Sequence, residues 1–387
     1  MALLSDLKGE KIKVPRDEEQ RLRETLNDLT DPETERLKRY LDMPDLSRTS
    51  GNPIAEIAER IIGLEYFNGF DVIDAPEIVS TDISFDLFNF VPDHPARYKS
   101  DTYFVDDTHI LRTHTTVMWY YYLTSDLVKK RIADNKAFGV FSHGKVYRKD
   151  EIDRNHMNIF HQMDGLYLAP RNQKEITQPD LEEALAEIAR GIFGPDIEFR
   201  FNEDNFPYTT PSLEMEVKIG DRWIEVLGAG IVHPTVLEKL GVDPKHYTGW
   251  AFGFGLERLA IISMDLPDIR LLWSKDPRVQ KQLKLGQKFI EVSKYPPITR
   301  DISFVVSNDF VPNNYFDLIR DIGGDLVEEV TLIDKYEDTA KFGIDKVSYT
   351  YRITYRSTDR TLRSEEIDPI QQKIYEQTAQ VFGAELR

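Results

Sequence analysis

Between Pro53 and Phe70 the run PIAEIAERIIGLEYFNGF repeats its apolar residues at helical spacing, and Pro53 suits a first helical turn, where its missing N–H is not needed. The period then changes. FDVIDAPEIV reads as a strand, and Pro76 within it marks an edge or a strand end. From about residue 100 to 275 strand-like runs dominate: TYFV, FGVFSHGKVYR, IFHQMDGLYLA, IEFRFNE, LEMEVKIGDRWIEVLGAG and WAFGFG. Gly220 in IGDRW fits a hairpin turn. QPDLEEALAEIARGIFG is an amphipathic helix that Gly194 ends. Strands and helices do not alternate strictly, so the pattern predicts an α+β antiparallel-sheet plan, not a doubly wound one.

The two ends differ from the centre. Residues 1–50 are charged and helical in pattern, as in DEEQRLRETLNDL and DPETERLKRYL, and read as an N-terminal extension. The sheet domain then covers 51–275, with a linker over 276–291. Residues 292–387 read β-α-β-β-α, with a last strand short or absent, close to a ferredoxin-like unit.

Composition narrows the chemistry. The 387 residues suggest two or three domains. There is no cysteine, which excludes disulfides, thiolate metal sites and thiol catalysis. The nearest histidine pair, His156 and His161, is five apart and misses one helix face, so no zinc site is expected. The net charge of −18 argues against a general nucleic-acid coat protein but allows local basic patches. No apolar run reaches membrane-span length, so no membrane partner is expected. MALLSDLKGEKIKVPRDEEQ has neither a long apolar segment nor the acid-poor, arginine-rich character of a transit peptide. The expected compartment is the cytoplasm, or the mitochondrial matrix if a presequence has been removed.

Two arginines carry the first chemical signal. Arg258 stands in AFGFGLERLA, an apolar run punctuated by Gly253 and Gly255. A dinucleotide fingerprint would need glycine where Arg258 stands. An internal acid could pair with it; a phosphate is the sharper partner, because a guanidinium forks onto phosphate oxygens. Arg148 ends a strand in GKVYRKDEIDRNHMNIFHQ, before a charged loop and a second strand. That turn suits a nucleotide lying across a sheet, or is a solvated charged hairpin.

Together these stretches resemble motifs 2 and 3 of the class II aminoacyl-tRNA synthetases, and the strand with Pro76 resembles motif 1. Over residues 50–387 the chain is similar to the single-chain, organelle-type phenylalanyl-tRNA synthetases. The stretches that carry the likeness are DHPAR (93–97), LRTHT (111–115), VYRKDEID, IFHQ, FPYTTPS (206–212), WIEVLGAG (223–230), GWAFGFGLERLA and LPDIRLLW. YPPITRDISF, IGGDLVEEVTLIDKY and YRITYRSTDRTL resemble the fused anticodon-binding domain of that family.

The resemblance implies an ATP-dependent ligase that joins phenylalanine to tRNA through an aminoacyl-adenylate, as a monomer. It implies that Arg148 holds the α-phosphate of ATP and Arg258 the γ-phosphate. Phe252 would lie against adenine, the 155–157 loop (Asn155, His156, Met157) around the nucleotide, and Glu225 would face the nucleotide and its Mg²⁺. Phe206 and Tyr208 would stack on the substrate ring, with Ala251 at its far end. His114, Thr116, Gln162 and Asp164 would meet its amino and carboxylate groups. In the last domain Lys294, Arg300, Arg352, Arg356, Arg360 and Arg363 are candidates for a phosphate-facing patch. Tyr349, Tyr351 and Tyr355 are core or base-stacking residues.

Three positions around the substrate depart from the family pattern: Trp119 replaces glutamine, Asp164 glutamate and Tyr208 phenylalanine. They leave open a paralogue that activates another, hydroxylated aromatic amino acid. A non-catalytic tRNA-binding protein on the same scaffold is the other alternative.

Overall fold

In the computed structural model, which describes residues 9–149, 154–357 and 360–387, a long antiparallel strand pair runs inside the main sheet. The strands in chain order are β1 (Lys11–Lys13), β2 (Asp71–Asp74), β3 (Ile78–Ser80), β4 (His109–Leu111), β5 (Phe138–Tyr147), β6 (Ile159–Pro170), β7 (Phe199–Asp204), β8 (Thr209–Ile219), β9 (Arg222–Val232) and β10 (Tyr247–Gly255). That pair is β5 and β6, in register from Phe138↔Leu168 to Tyr147↔Ile159. The sheet order is β1-β2-β5-β6-β10-β9-β8-β7. The β1–β2 and β2–β5 pairings are parallel, and the others are antiparallel. Strands β3 and β4 form a separate two-stranded sheet.

Pro76 explains that separation. The sequence pattern predicts one strand across FDVIDAPEIV, but proline has no N–H for a ladder, and the run divides into β2 and β3 on either side of it. TYFV, also expected as a strand, contributes only an isolated bridge at Phe104.

The chain divides into two units, one ending at Phe289 and one beginning at Ile290. Both outer boundaries of the first unit differ from the sequence expectation. Strand β1 pairs with β2, and Leu26, Leu37 and Leu41 are buried against Ile78, Tyr103, Leu111, Tyr147 and Ile159. Residues before 50 therefore complete the sheet unit instead of extending from it; apart from Glu19, buried and paired with Arg23, most of their charges lie outside a thin apolar stripe. Lys145 fixes the end of helix Pro32–Asp42, its Nζ donating to Leu41 O (2.9 Å) and Met43 O (2.7 Å). At the other boundary, Val279, Leu283 and Phe289 are buried, and Phe289 N–H donates to Met264 O at 2.8 Å. The stretch expected as a linker is thus packed through Phe289.

The second unit has β11 (Ile298–Ser307), β12 (Val327–Tyr336), β13 (Lys346–Tyr355) and β14 (Glu385–Leu386), in the order β12-β13-β11-β14. The last strand is two residues long, beside Phe304 and Val305. Helices Pro312–Gly323 and Ser364–Phe382 accompany the sheet. Tyr349, Tyr351 and Tyr355 belong to its buried core, which resolves their role in favour of packing.

Candidate active site

Strand pleating sets the floor of a cleft of about 960 Å³ in the first unit. Successive side chains on a strand point to opposite faces, so Phe160, Gln162 and Asp164 of β6 share one face. Their cross-strand neighbours on β10 are fixed by register: Gly255 opposite Gln162, and Gly253 opposite Asp164. Gly253 is required by close approach, because a Cβ there would sit 3.0 Å from Asp164 Oδ1.

The same register moves Phe252 to the other face. It is 3% exposed, its ring 5.7 Å from Trp250, 5.9 Å from Phe254 and 6.2 Å from Phe141. A Cβ on Gly165 would come within 2.4 Å of the Phe252 Cζ. Phe252 borders the cleft, but its ring packs among aromatics on the face away from Asp164, which does not favour the expected contact with adenine. Phe160, on the same strand face as Gln162 and Asp164, borders the cleft with the Arg148 guanidinium 5.2 Å over its ring.

At one end of the cleft Asp164 is buried and accepts hydrogen bonds from Thr115 Oγ1 and, at 2.7 Å, from Thr116 Oγ1. Burial raises its carboxyl to about 6, against those hydrogen bonds and the charges of Arg112 and Arg148. Thr115 N–H donates to Gln162 Oε1 at 3.3 Å. His114 Nε2 lies 3.0 Å from Ser84 O and so donates to it. Burial, helped by the charge of Arg148, lowers the imidazole to about 3, so it is neutral. Its Nδ1 is then an acceptor, buried and without a hydrogen-bond partner among the described residues.

Aromatic rings wall the neighbouring part. Phe206 and Tyr208 stack at 5.8 Å with 10° between planes. Tyr208 meets Phe88 at 6.1 Å and Trp119 at 6.2 Å edge-on, and Phe90 at 6.2 Å face-on. A Cβ on Gly228 would approach Phe206 Cζ to 2.6 Å, so glycine makes room for that ring. Ala251 and Trp119 border the same space. Trp119 is buried, and its indole Nε1 has no partner among the described residues.

The opposite end is cationic. Arg148 follows β5 directly, and its Nε donates to Thr113 O at 3.0 Å. Arg258 lies in the first turn of helix Leu256–Met264, its Nη1 3.3 Å from Glu225 Oε1. A register shift between Met215 and Glu216 aims Glu225 into the cleft. Arg258 is about 50% exposed, so the cost of a buried charge, expected from its apolar neighbours, does not arise. In this state it has an internal acid as partner. Asn155, His156 and Met157 border the cleft, whereas 150–153 of the motif lie outside the described residues.

With this geometry in hand, the comparisons are specific. The model of the class II core domain (F) of tRNA synthetases matches residues 39–283, and the ferredoxin-fold anticodon-binding domain matches 293–387. The chloroplastic/mitochondrial phenylalanine–tRNA ligase of Arabidopsis thaliana is 37% identical over 88% of this chain and 80% of that protein. The chain belongs to the phenylalanine–tRNA ligase family. The mitochondrial ligases of Mus musculus (36%, covering 82% of this chain and 76% of that one) and Saccharomyces cerevisiae (31%, 80% and 81%) agree. As a member of this family the chain is a class II aminoacyl-tRNA synthetase. No comparison supports the alternatives of another amino acid or a non-catalytic protein.

The candidate tRNA residues do not form one free cationic patch. Arg352 makes two 2.7 Å hydrogen bonds to Asp301. Arg300 pairs with Asp368 (2.8 Å), Arg356 with Glu328 (3.0 Å) and Arg360 with Glu366 (2.7 Å). Arg363 N–H donates to Glu366 at 2.9 Å, at the start of the last helix. Lys294 is exposed and has no ion pair among the described residues. Sequence reading counted the arginines but not the acids that reach them from other elements.

It also missed Phe160, Thr115 and the buried pair His161–Glu257. Alternation from Gln162 and Asp164 points to Phe160. The motif THT contains Thr115. Nothing in the sequence signals that His161 meets Glu257 across 96 positions.

Proposed function

We propose that this synthetase joins phenylalanine to tRNA in the cleft just described, activating the amino acid with ATP. What supports this is one cleft of about 960 Å³ bordered by Arg148 and Arg258, by Asp164 and His114, and by the rings of Phe206, Tyr208 and Trp119. Asp164 and the His114 Nδ1 accept from the ammonium group. Phe206, Tyr208 and Trp119 enclose the ring, with Ala251 at its far end. Gln162 and Thr116 keep the ammonium site in place and meet the polar end of the substrate.

Phe160 offers a flat face to adenine. Arg148 neutralises the α-phosphate as the substrate carboxylate attacks it, and Arg258, at a helix N-terminus, holds the departing pyrophosphate. Glu225, which borders the cleft beside Arg258, would be the carboxylate that holds Mg²⁺; no group of three His, Asp or Glu forms a metal site among the described residues. Bound there, Mg²⁺ supplies charge neutralisation to the phosphates. With metal and phosphate bound, Glu225 and Arg258, now paired at 3.3 Å, would each face a partner of opposite charge. No protein nucleophile is needed; rate comes from positioning and charge stabilisation. A ribose hydroxyl at the tRNA 3′ end next attacks the adenylate carbonyl, releasing AMP.

Both domains on one chain support a monomer that needs no second kind of subunit. The organelle names of the relatives favour the mitochondrial alternative over the cytoplasmic reading. No helix among the described residues is long and apolar enough to cross a membrane. ATP–pyrophosphate exchange tests the proposal: exchange should depend on phenylalanine and disappear in Arg258→Ala, and exchange indifferent to phenylalanine would refute it.

A further inference from the structure

Residues 275–288, KDPRVQKQLKLGQK, hold five basic residues (Lys275, Arg278, Lys281, Lys284, Lys288) and one acid, Asp276, in a chain of net charge −18. The segment is anchored, not loose. Val279 and Leu283 are buried one helical turn apart, Gly286 N–H donates to Ser263 Oγ at 2.9 Å, and Phe289 N–H to Met264 O at 2.8 Å. With that side held down, Lys275, Lys281, Lys284 and Lys288 are exposed. Arg278 is partly buried, with its guanidinium 2.6 Å from Asp276, and Lys281 follows three residues on, at the end of the short helix Pro277–Gln280.

We infer that this strip is a docking surface of the catalytic unit for a nucleic-acid phosphate backbone, that of the tRNA substrate. Three observations carry it. The surplus of positive charge contrasts with the whole chain. Lys275 and Lys284 have no ion pair among the described residues, while Arg278 pairs with Asp276 (2.6 Å) and Lys288 with Asp265 (2.7 Å); in the second unit Arg300, Arg352, Arg356 and Arg360 each face an acid. The strip also packs on the C-terminal end of the helix that begins with Leu256 and carries Arg258, so it belongs to the unit that holds the chemistry. A row of exposed lysines on a rigid support fits a polyanion read by charge and not by sequence.

The inference rests on the tRNA-ligase reading, and one pair of assays keeps the two apart. The triple variant Lys275→Glu/Lys281→Glu/Lys284→Glu is compared with the neutral triple Lys→Gln in the full-length protein. Phenylalanine-dependent pyrophosphate exchange, which needs no tRNA, should stay at the wild-type rate in both. The KM for tRNA in aminoacylation should rise roughly tenfold or more in the Glu triple at low salt, and less in the Gln triple. The slope of log KM against log salt should fall by about one for each phosphate that a lysine no longer neutralises. Unchanged KM and slope in both triples would overturn the docking surface. Loss of exchange in both would show the strip to be structural and overturn it equally. Absence of exchange in the wild type would instead refute the ligase reading itself.

Discussion

Glu257 accepts two hydrogen bonds from His161: one from its backbone N–H, 2.8 Å from Oε2, and one from its imidazole Nδ1, 2.6 Å from Oε1. The tautomer follows from the third hydrogen bond, because Leu46 N–H donates to Nε2 at 2.9 Å and the proton must sit on Nδ1. Residue 46, strand β6 and the helix bearing Arg258 are thereby tied through one buried ring. Glu257 borders the cleft and the residue after it is Arg258, so the pair is expected to position that arginine.

Glu257→Ala leaves two buried donors of His161 without an acceptor, at about 1–3 kcal/mol each. The melting temperature should fall and the KM for ATP should rise, with the KM for phenylalanine little changed. Glu257→Gln keeps an acceptor oxygen and should recover part of both. Equal losses in both KM values, or none, would contradict a positioning role directed at Arg258.

Asp164 sets a pH dependence. Its carboxyl is raised to about 6 by burial, above the usual range near 4. The folded protein therefore binds the extra proton between about pH 4 and 6, so this group's contribution to stability falls as pH rises through that window and stays low above it. Substrate ammonium needs the ionised form. kcat/KM for phenylalanine should thus rise about tenfold per pH unit below 6 and level off above it. Asp164→Asn should abolish that limb and lower kcat/KM at neutral pH. A wild-type profile flat from pH 5 to 8 would remove Asp164 from the ammonium site.

How far the sequence carries depends on distance along it. Strand alternation puts Phe160, Gln162 and Asp164 of IFHQMDG on one face, but sequence reading named only Gln162 and Asp164, because polar His161 and apolar Phe160 blur the polar/apolar pattern. It was not readable in WAFGFG, where each residue is apolar or glycine. Only the pairing of Gly253 with Asp164 shows which way Phe252 points. Ion pairs such as Arg352–Asp301 and Arg258–Glu225 join residues 51 and 33 positions apart, so exposure and partnership of those arginines are products of the fold. The helices before residue 50 looked detached because their charges outnumber the three leucines that bury them.

Ala251 borders the ring slot, so Ala251→Gly should open space for about one heavy atom. Discrimination against para-chlorophenylalanine should relax by roughly 10–200-fold without inversion. An unchanged ratio of kcat/KM for phenylalanine and its para-chloro analogue would place Ala251 outside the slot.

Removing residues 290–387 should divide the two half-reactions. Every proposed contact to ATP and phenylalanine lies before Phe289, so exchange should continue while tRNA charging falls sharply. Loss of exchange in a truncated protein that still melts cooperatively would show that the second unit takes part in activation.

The central claim is that one cleft joins phosphate binding at Arg148 and Arg258 to an aromatic amino-acid slot at Phe206 and Tyr208. The most direct measurement is ATP–pyrophosphate exchange over a panel of phenylalanine, tyrosine, meta-tyrosine, tryptophan and leucine, with wild type and Arg258→Ala. Exchange should be highest in kcat/KM with phenylalanine and fall by roughly 10²–10³ in the folded Arg258→Ala variant. Preference for a hydroxylated ring, or near-wild-type exchange without the Arg258 guanidinium, would contradict it.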